Sequence, residues 1–185
     1  MTPATRDALP TAYSAKSLRA LCLELTRDTF ERQHPHPWLS LGLDSEESED
    51  VAVHTLAGPG ALGGGGLRAV LSLRSEGLCF LALRKRAGSS QALDTVTVGR
   101  SRDNDLILQH SSISKVHARF ILKDGEWWLA DADSRNGTLM NFRPVPSEEG
   151  VPLRDRAILK FGGLSCTVLL RSGELYDAMV GKGAR

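Results

Sequence analysis

From residue 78 onward, apolar and polar side chains alternate with a period of two in a series of short runs separated by turn residues. Residues 78–84, 95–98, 106–108, 117–122, 127–131, 138–140, 157–161 and 165–170 each read as a short strand. Many short strands with turns between them can bury their apolar faces in only two ways, as a sandwich or as a barrel. Lys123-Asp124-Gly125-Glu126 has the composition of a tight hairpin turn joining two of the runs. The pattern therefore predicts a mainly β, antiparallel domain.

The first part of the chain follows other rules. Residues 1–13 carry two prolines and few apolar side chains, and read as a loose tail. Over residues 14–33 the spacing turns helical, with Leu18, Leu21, Cys22, Leu25 and Thr29 on one side and Glu24, Arg27, Asp28 and Glu31 opposite. Arg27 and Glu31 are placed to pair, and His34-Pro35-His36-Pro37 ends the helix. Trp38, Leu39, Leu41 and Leu43 follow as an apolar patch. Residues 44–50 hold five acidic side chains, and residues 63–66 are four consecutive glycines, so this stretch reads as a flexible joint. Residues 51–53 resemble a brief strand, and residues 67–73 a weak edge strand. The expected division is a tail, helix and linker over 1–77, a β-sandwich over 78–171, and a short helix and tail over 172–185.

Charge and cysteine content narrow the class of function. A net charge of +1 is too small for a protein that coats nucleic acid or anionic membrane by bulk attraction. Cys22, Cys79 and Cys166 are odd in number, far apart and set in apolar surroundings, as expected of reduced thiols in a cytoplasmic protein. Neither a signal-peptide core nor an apolar stretch of spanning length is visible.

Three polar patterns stand at the ends of the alternating runs: Val98-Gly99-Arg100, Ser114-Lys115-Val116-His117 and Ser134-Arg135-Asn136-Gly137-Thr138. A sandwich brings such loop ends together. Two guanidiniums, an ammonium, a hydroxyl and an amide on one rim suit a phosphorylated side chain, because donors fixed in advance spare the entropy of ordering them. Asn136-Gly137 is a tight turn in which glycine supplies a positive φ, leaving the Asn136 amide available to a passing peptide backbone.

In this order, with Asn104-Asp105-Leu106 between the first two patterns, the motifs resemble those of the forkhead-associated (FHA) domain, over residues 78–170. The resemblance implies an antiparallel sandwich of about eleven strands whose loops at one end bind phosphothreonine peptides. It implies that Arg100 and Ser114 hold the phosphate and that Asn136 bonds the peptide main chain. Lys115 stands where the family often has arginine, and so keeps the charge but loses the planar fork. Arg135 occupies a position that reaches the phosphothreonine in related domains. Gly99, Asp105, His117, Gly137 and Thr138 are implied to be architectural, with His117 bracing the binding loop. The partner implied is a phosphothreonine-containing protein, a serine/threonine kinase or its substrate, met by a bacterial-type signalling adaptor. No cofactor or metal is expected.

Other readings fit less well. Ser114, His117 and Asp131 or Asp133 can be strung into a hydrolase triad, but the chain has no nucleophile elbow or marked oxyanion hole. The glycine run lacks the Gly-Lys-Ser/Thr of a phosphate loop. His34, His36 and His54 form only a loose candidate metal set beside prolines. A phosphate-independent scaffold on the same fold and a nucleic-acid binder using Arg84-Lys85-Arg86, Arg100 and Arg102 are the remaining alternatives. The expected function is binding without catalysis.

Overall fold

The computed structural model of the chain describes residues 11–42, 52–56, 68–72, 78–86 and 94–181. Two sheets face each other. The first comprises β1 (Ala12–Ser14), β2 (Trp38–Gly42), β5 (Leu78–Ala82), β10 (Thr138–Met140), β11 (Arg143–Pro144), β13 (Ile158–Phe161) and β14 (Leu164–Leu169), in the order β1-β5-β2-β14-β13-β10-β11. The second comprises β3 (Ala52–Leu56), β4 (Arg68–Ser72), β6 (Thr95–Gly99), β7 (Leu106–Gln109), β8 (Ala118–Lys123), β9 (Glu126–Asp131) and β12 (Val151–Pro152), in the order β12-β9-β8-β6-β7-β3-β4. Pairing is antiparallel except between β6 and β7. The sandwich expected from the alternation is present, with fourteen strands among the described residues where about eleven were expected.

Between the sheets lies a core that includes Leu39, Leu41, Leu81, Val98, Leu106, Phe120, Leu159 and Phe161. The other face of the first sheet is also covered. Helices α1 (Ala15–Glu24), α2 (Arg27–Gln33) and α3 (Ser172–Val180) bury Tyr13, Leu18, Phe30, Trp38, Phe80 and Tyr176 in a second cluster. Neighbouring residues on one strand thus serve different cores: Leu39 and Leu41 enter the first, Trp38 the second.

Several expectations change. Residues 38–42 are a strand in the middle of a sheet, paired on one side with β5 and on the other with β14. Both faces of this strand are covered, Leu39 and Leu41 by the second sheet and Trp38 by the helices. Tyr13, placed by sequence in the loose tail, is buried in β1, which pairs with β5. The expected division at residue 77/78 therefore runs through one continuous sheet. The single helix over 14–33 is two helices. Thr26 caps α2 by accepting the Thr29 N–H at 3.3 Å, Leu25 is extended, and its carbonyl accepts the Tyr176 hydroxyl at 2.9 Å. The Arg27–Glu31 pair forms at 3.5 Å. The hairpin forms as expected, with Lys123 opposite Glu126 and positive φ at Asp124 and Gly125. Strands β3 and β4 lie where residues 51–53 and 67–73 suggested. The acidic run, the glycine run and residues 1–10 lie outside the described residues. Cys22, Cys79 and Cys166 are free and buried, and burial pushes all three thiols up, to about 11 for Cys22 and about 12 for the others. No described helix is long and apolar enough to cross a membrane.

Candidate phosphate-binding site

The three loops that carry the polar patterns leave β6, enter β8 and link β9 to β10, and hydrogen bonds tie them to one another. Arg100 N–H donates to the Ser114 carbonyl at 2.8 Å and Ser101 N–H to the Lys115 carbonyl at 3.0 Å. Gly99 sits beneath this crossing. A Cβ there would lie 2.3 Å from the Lys115 carbonyl oxygen and 2.8 Å from Val116 Cα, so only glycine lets the two segments approach.

His117, fully buried, joins the second loop to the third. Its Nδ1 accepts the Ser114 N–H at 3.1 Å. That contact places the ring proton on Nε2, which donates to the Gly137 carbonyl at 3.2 Å. Burial pushes the His117 pKa down, against the opposing pull of Gly137 and Asp131, so the ring stays neutral as both bonds require. Gly137 has φ +73°, the left-handed geometry that the Asn-Gly turn predicts.

Two carboxylates stiffen the loop ends. Asp131 accepts from Ser134 N–H (2.8 Å), Ser134 Oγ (2.7 Å) and Thr138 Oγ1 (2.5 Å). Burial raises its pKa, but these donors outweigh burial and hold it below the usual range. Asp105 is buried and accepts from Thr97 N–H (2.9 Å), Arg86 N–H (3.0 Å) and Lys85 Nζ (3.0 Å). Here too the donors and the ammonium overcome the effect of burial, and the carboxyl titrates low.

On this frame Arg100, Ser114, Lys115, Arg135 and Asn136 line one cleft of about 220 Å³ together with Ser111, Ser112 and Ile113. Arg100 Nε donates to the Ile113 carbonyl at 3.2 Å, leaving the ends of the guanidinium for a ligand. Ser114 Oγ accepts the Arg135 N–H at 3.0 Å, so its own proton remains to be donated. Arg100, Lys115 and Arg135 are exposed, and none pairs with a carboxylate among the described residues. The Asn136 amide is not wholly free, because Nδ2 donates to the Ser112 carbonyl at 2.8 Å. Its Oδ1 and second N–H remain.

Sequence reasoning missed three supports. Asn104, nearly fully buried, donates through Nδ2 to Ser101 O (2.9 Å) and Lys115 O (2.7 Å), locking the first two loops. Ser112 Oγ accepts the Gly163 N–H at 2.8 Å and lies 2.6 Å from His110 Nδ1, which also accepts the Ser112 N–H. The pattern gave Asn104 a place but no role, and gave Ser112 and His110 no signal.

The triad geometry is absent. His117 faces the Ser114 backbone and the Gly137 carbonyl, and Asp131 is occupied by Ser134 and Thr138. His34 packs among Phe30, Trp38 and Tyr13, and the described residues hold no group of three metal-ligating side chains.

The FHA domain model matches residues 96–162. The glycogen accumulation regulator GarA of Mycolicibacterium smegmatis is 34% identical over 120 residues, covering 57% of this chain and 76% of that one. The chain belongs to the FHA family. It is a phosphothreonine-binding module and not an enzyme. The oxoglutarate dehydrogenase inhibitor of Corynebacterium efficiens is 38% identical over 64 residues, 34% of this chain and 45% of that protein. Among solved structures, the FHA domain of an Arabidopsis thaliana protein is 34% identical with a TM-score of 0.40, covering 42% of this chain and 67% of that one. The FHA domain of a Chlamydia trachomatis protein is 18% identical with a TM-score of 0.42, covering 72% and 96%.

Proposed function

We propose that this FHA module captures a phosphothreonine of a partner protein in the cleft between its loops, acting as an adaptor in serine/threonine kinase signalling. Arg100, Ser114, Lys115 and Arg135 hold the phosphate and Asn136 bonds the peptide backbone. The observation that carries this reading is the set of three cations around Ser114, unpaired among the described residues and held by loops that His117 and Asn104 lock before any ligand arrives. Phosphorylation adds about −1.5 to −2 charge and three acceptor oxygens, which these donors match, whereas a plain threonine leaves them without a counter-charge. Lys115 contributes a point charge and Arg135 supplies a second guanidinium beside Arg100.

The partner is a serine/threonine kinase or one of its substrates, met in the cytoplasm. Gly99, Asp105, Gly137 and Thr138 act by shaping the loops. An oriented phosphothreonine peptide library screened against the wild-type chain and Arg100→Ala tests the proposal. Selection of phosphorylated peptides by the wild type alone supports it. Equal capture of phosphorylated and unphosphorylated peptides, or undiminished capture by a folded Arg100→Ala, overturns it in favour of a phosphate-independent scaffold.

A further inference from the structure

A second, more open cleft adjoins the first and shares Arg100 and Ser111 with it. It spans about 610 Å³ and is completed by Ser101, Arg102, Gln109 and His110. The Arg102 carbonyl accepts Arg86 Nη1 at 2.7 Å, which fixes the backbone, while the exposed Arg102 guanidinium meets no carboxylate among the described residues. His110 accepts the Ser112 N–H at Nδ1 (3.2 Å), so the neutral ring carries its proton on Nε2 and offers a donor there. Among the described residues, the acidic side chain next to Arg102 is Asp103, which accepts the Ser101 hydroxyl at 2.9 Å.

Charge decides what this cleft takes. Four permanent cations (Arg100, Arg102, Lys115 and Arg135) surround the two clefts without ion pairs among the described residues, and Asp103 offsets one. A single phosphate dianion of about −2 leaves roughly one positive charge uncompensated over the two clefts together, and leaves the Arg102 guanidinium fork without a ligand. We infer that the Arg102–His110 cleft is a second anion subsite, filled by an acidic or phosphorylated side chain flanking the phosphothreonine on the same peptide. The inference rests on the phosphothreonine reading of the first cleft. Arg102 reads the flanking anion as a guanidinium fork, and His110 adds one N–H donor. Ligands for this chain are thus threonine sites in acidic or multiply phosphorylated surroundings.

The test titrates the full chain with phosphothreonine peptides in neutral flanks. In matched peptides one residue, from four before to four after the phosphothreonine, is replaced in turn by glutamate or by phosphoserine. The expected result is one register in which the anion tightens binding by roughly five-fold at low salt. Arg102→Ala should erase that gain while binding the neutral-flank peptide as the wild type does. A larger gain from phosphoserine than from glutamate identifies a second phosphate as the better occupant, and equal gains identify a carboxylate site. Absence of any favourable register, or a gain that survives both Arg102→Ala and Arg102→Glu, overturns the subsite. If the neutral-flank peptide binds and Arg100→Ala abolishes that binding, such a failure leaves the first cleft's reading standing. If the neutral-flank peptide does not bind at all, both readings fall.

Discussion

Replacing His117 with alanine removes a side chain that touches no ligand yet holds the ligand-binding loops together. Two hydrogen bonds disappear, from Ser114 N–H to Nδ1 at 3.1 Å and from Nε2 to the Gly137 carbonyl at 3.2 Å. Each orphaned group, if kept from water, costs about 1–3 kcal/mol. The ring also packs edge-on against Phe161 with centroids 5.9 Å apart, so truncation leaves a void beside the core. Together these effects predict a loss of about 3–5 kcal/mol of unfolding free energy. Urea unfolding measures that loss. Titration of the folded variant with a phosphothreonine peptide should show affinity down by about tenfold or more, since ordering Ser114 and Gly137 must now be done at binding. A folded His117→Ala that loses less than about 0.5 kcal/mol and binds as tightly as the wild type would refute the bracing role.

Three further outcomes follow from the same frame. Gly99→Ala forces a Cβ to 2.3 Å from the Lys115 carbonyl oxygen, and should cost at least about 2 kcal/mol with faster hydrogen exchange at Ser101 and His117; an unchanged melting temperature would contradict the close crossing. Asp105→Asn leaves the Lys85 ammonium without its carboxylate, and should cost about 2–4 kcal/mol in chemical denaturation, whereas a neutral effect would deny the brace. Burial holds His34 and His36 at about 4, below the 6.5 of the unfolded chain, with Arg84 pushing in the same direction. The unfolded chain therefore binds the extra protons, so the stabilisation is complete above about 6.5 and is lost as pH falls toward 4, by as much as ~3 kcal/mol per histidine. Denaturation midpoints that stay flat between pH 7.5 and 4.5 would contradict it.

Legibility followed the physics of each segment. Strand β6 alternates, β8 does so at its start, and β9 is a continuous apolar run, Trp127-Trp128-Leu129-Ala130; the sequence runs of all three match the observed spans closely. Strand β2 alternates only over Leu39-Ser40-Leu41-Gly42, and Trp38, buried under the helices on the other face, made the run read as an apolar patch. The break at Leu25-Thr26 was hidden because the helical periodicity continues past it, while the cap and the Tyr176 hydroxyl decide it. Strands β11 and β12 are two residues each and exist only through their partners. Within the site, Arg100, Ser114, Lys115, Arg135 and Asn136 could be named from motif order. The bonds from Asn104 to Lys115 O and from Asn136 to Ser112 O join residues 11 and 24 positions apart, and no local pattern announces them.

The most direct test is a pair of NMR titrations of the full chain with one peptide, phosphorylated and unphosphorylated at a single threonine. Phosphorylated peptide should shift the backbone amides of Arg100, Ser114, Lys115 and Arg135 and the side-chain amide of Asn136, while its unphosphorylated twin leaves them in place. Shifts that cluster on another face, or that are the same for both peptides, would contradict phosphothreonine capture in this cleft.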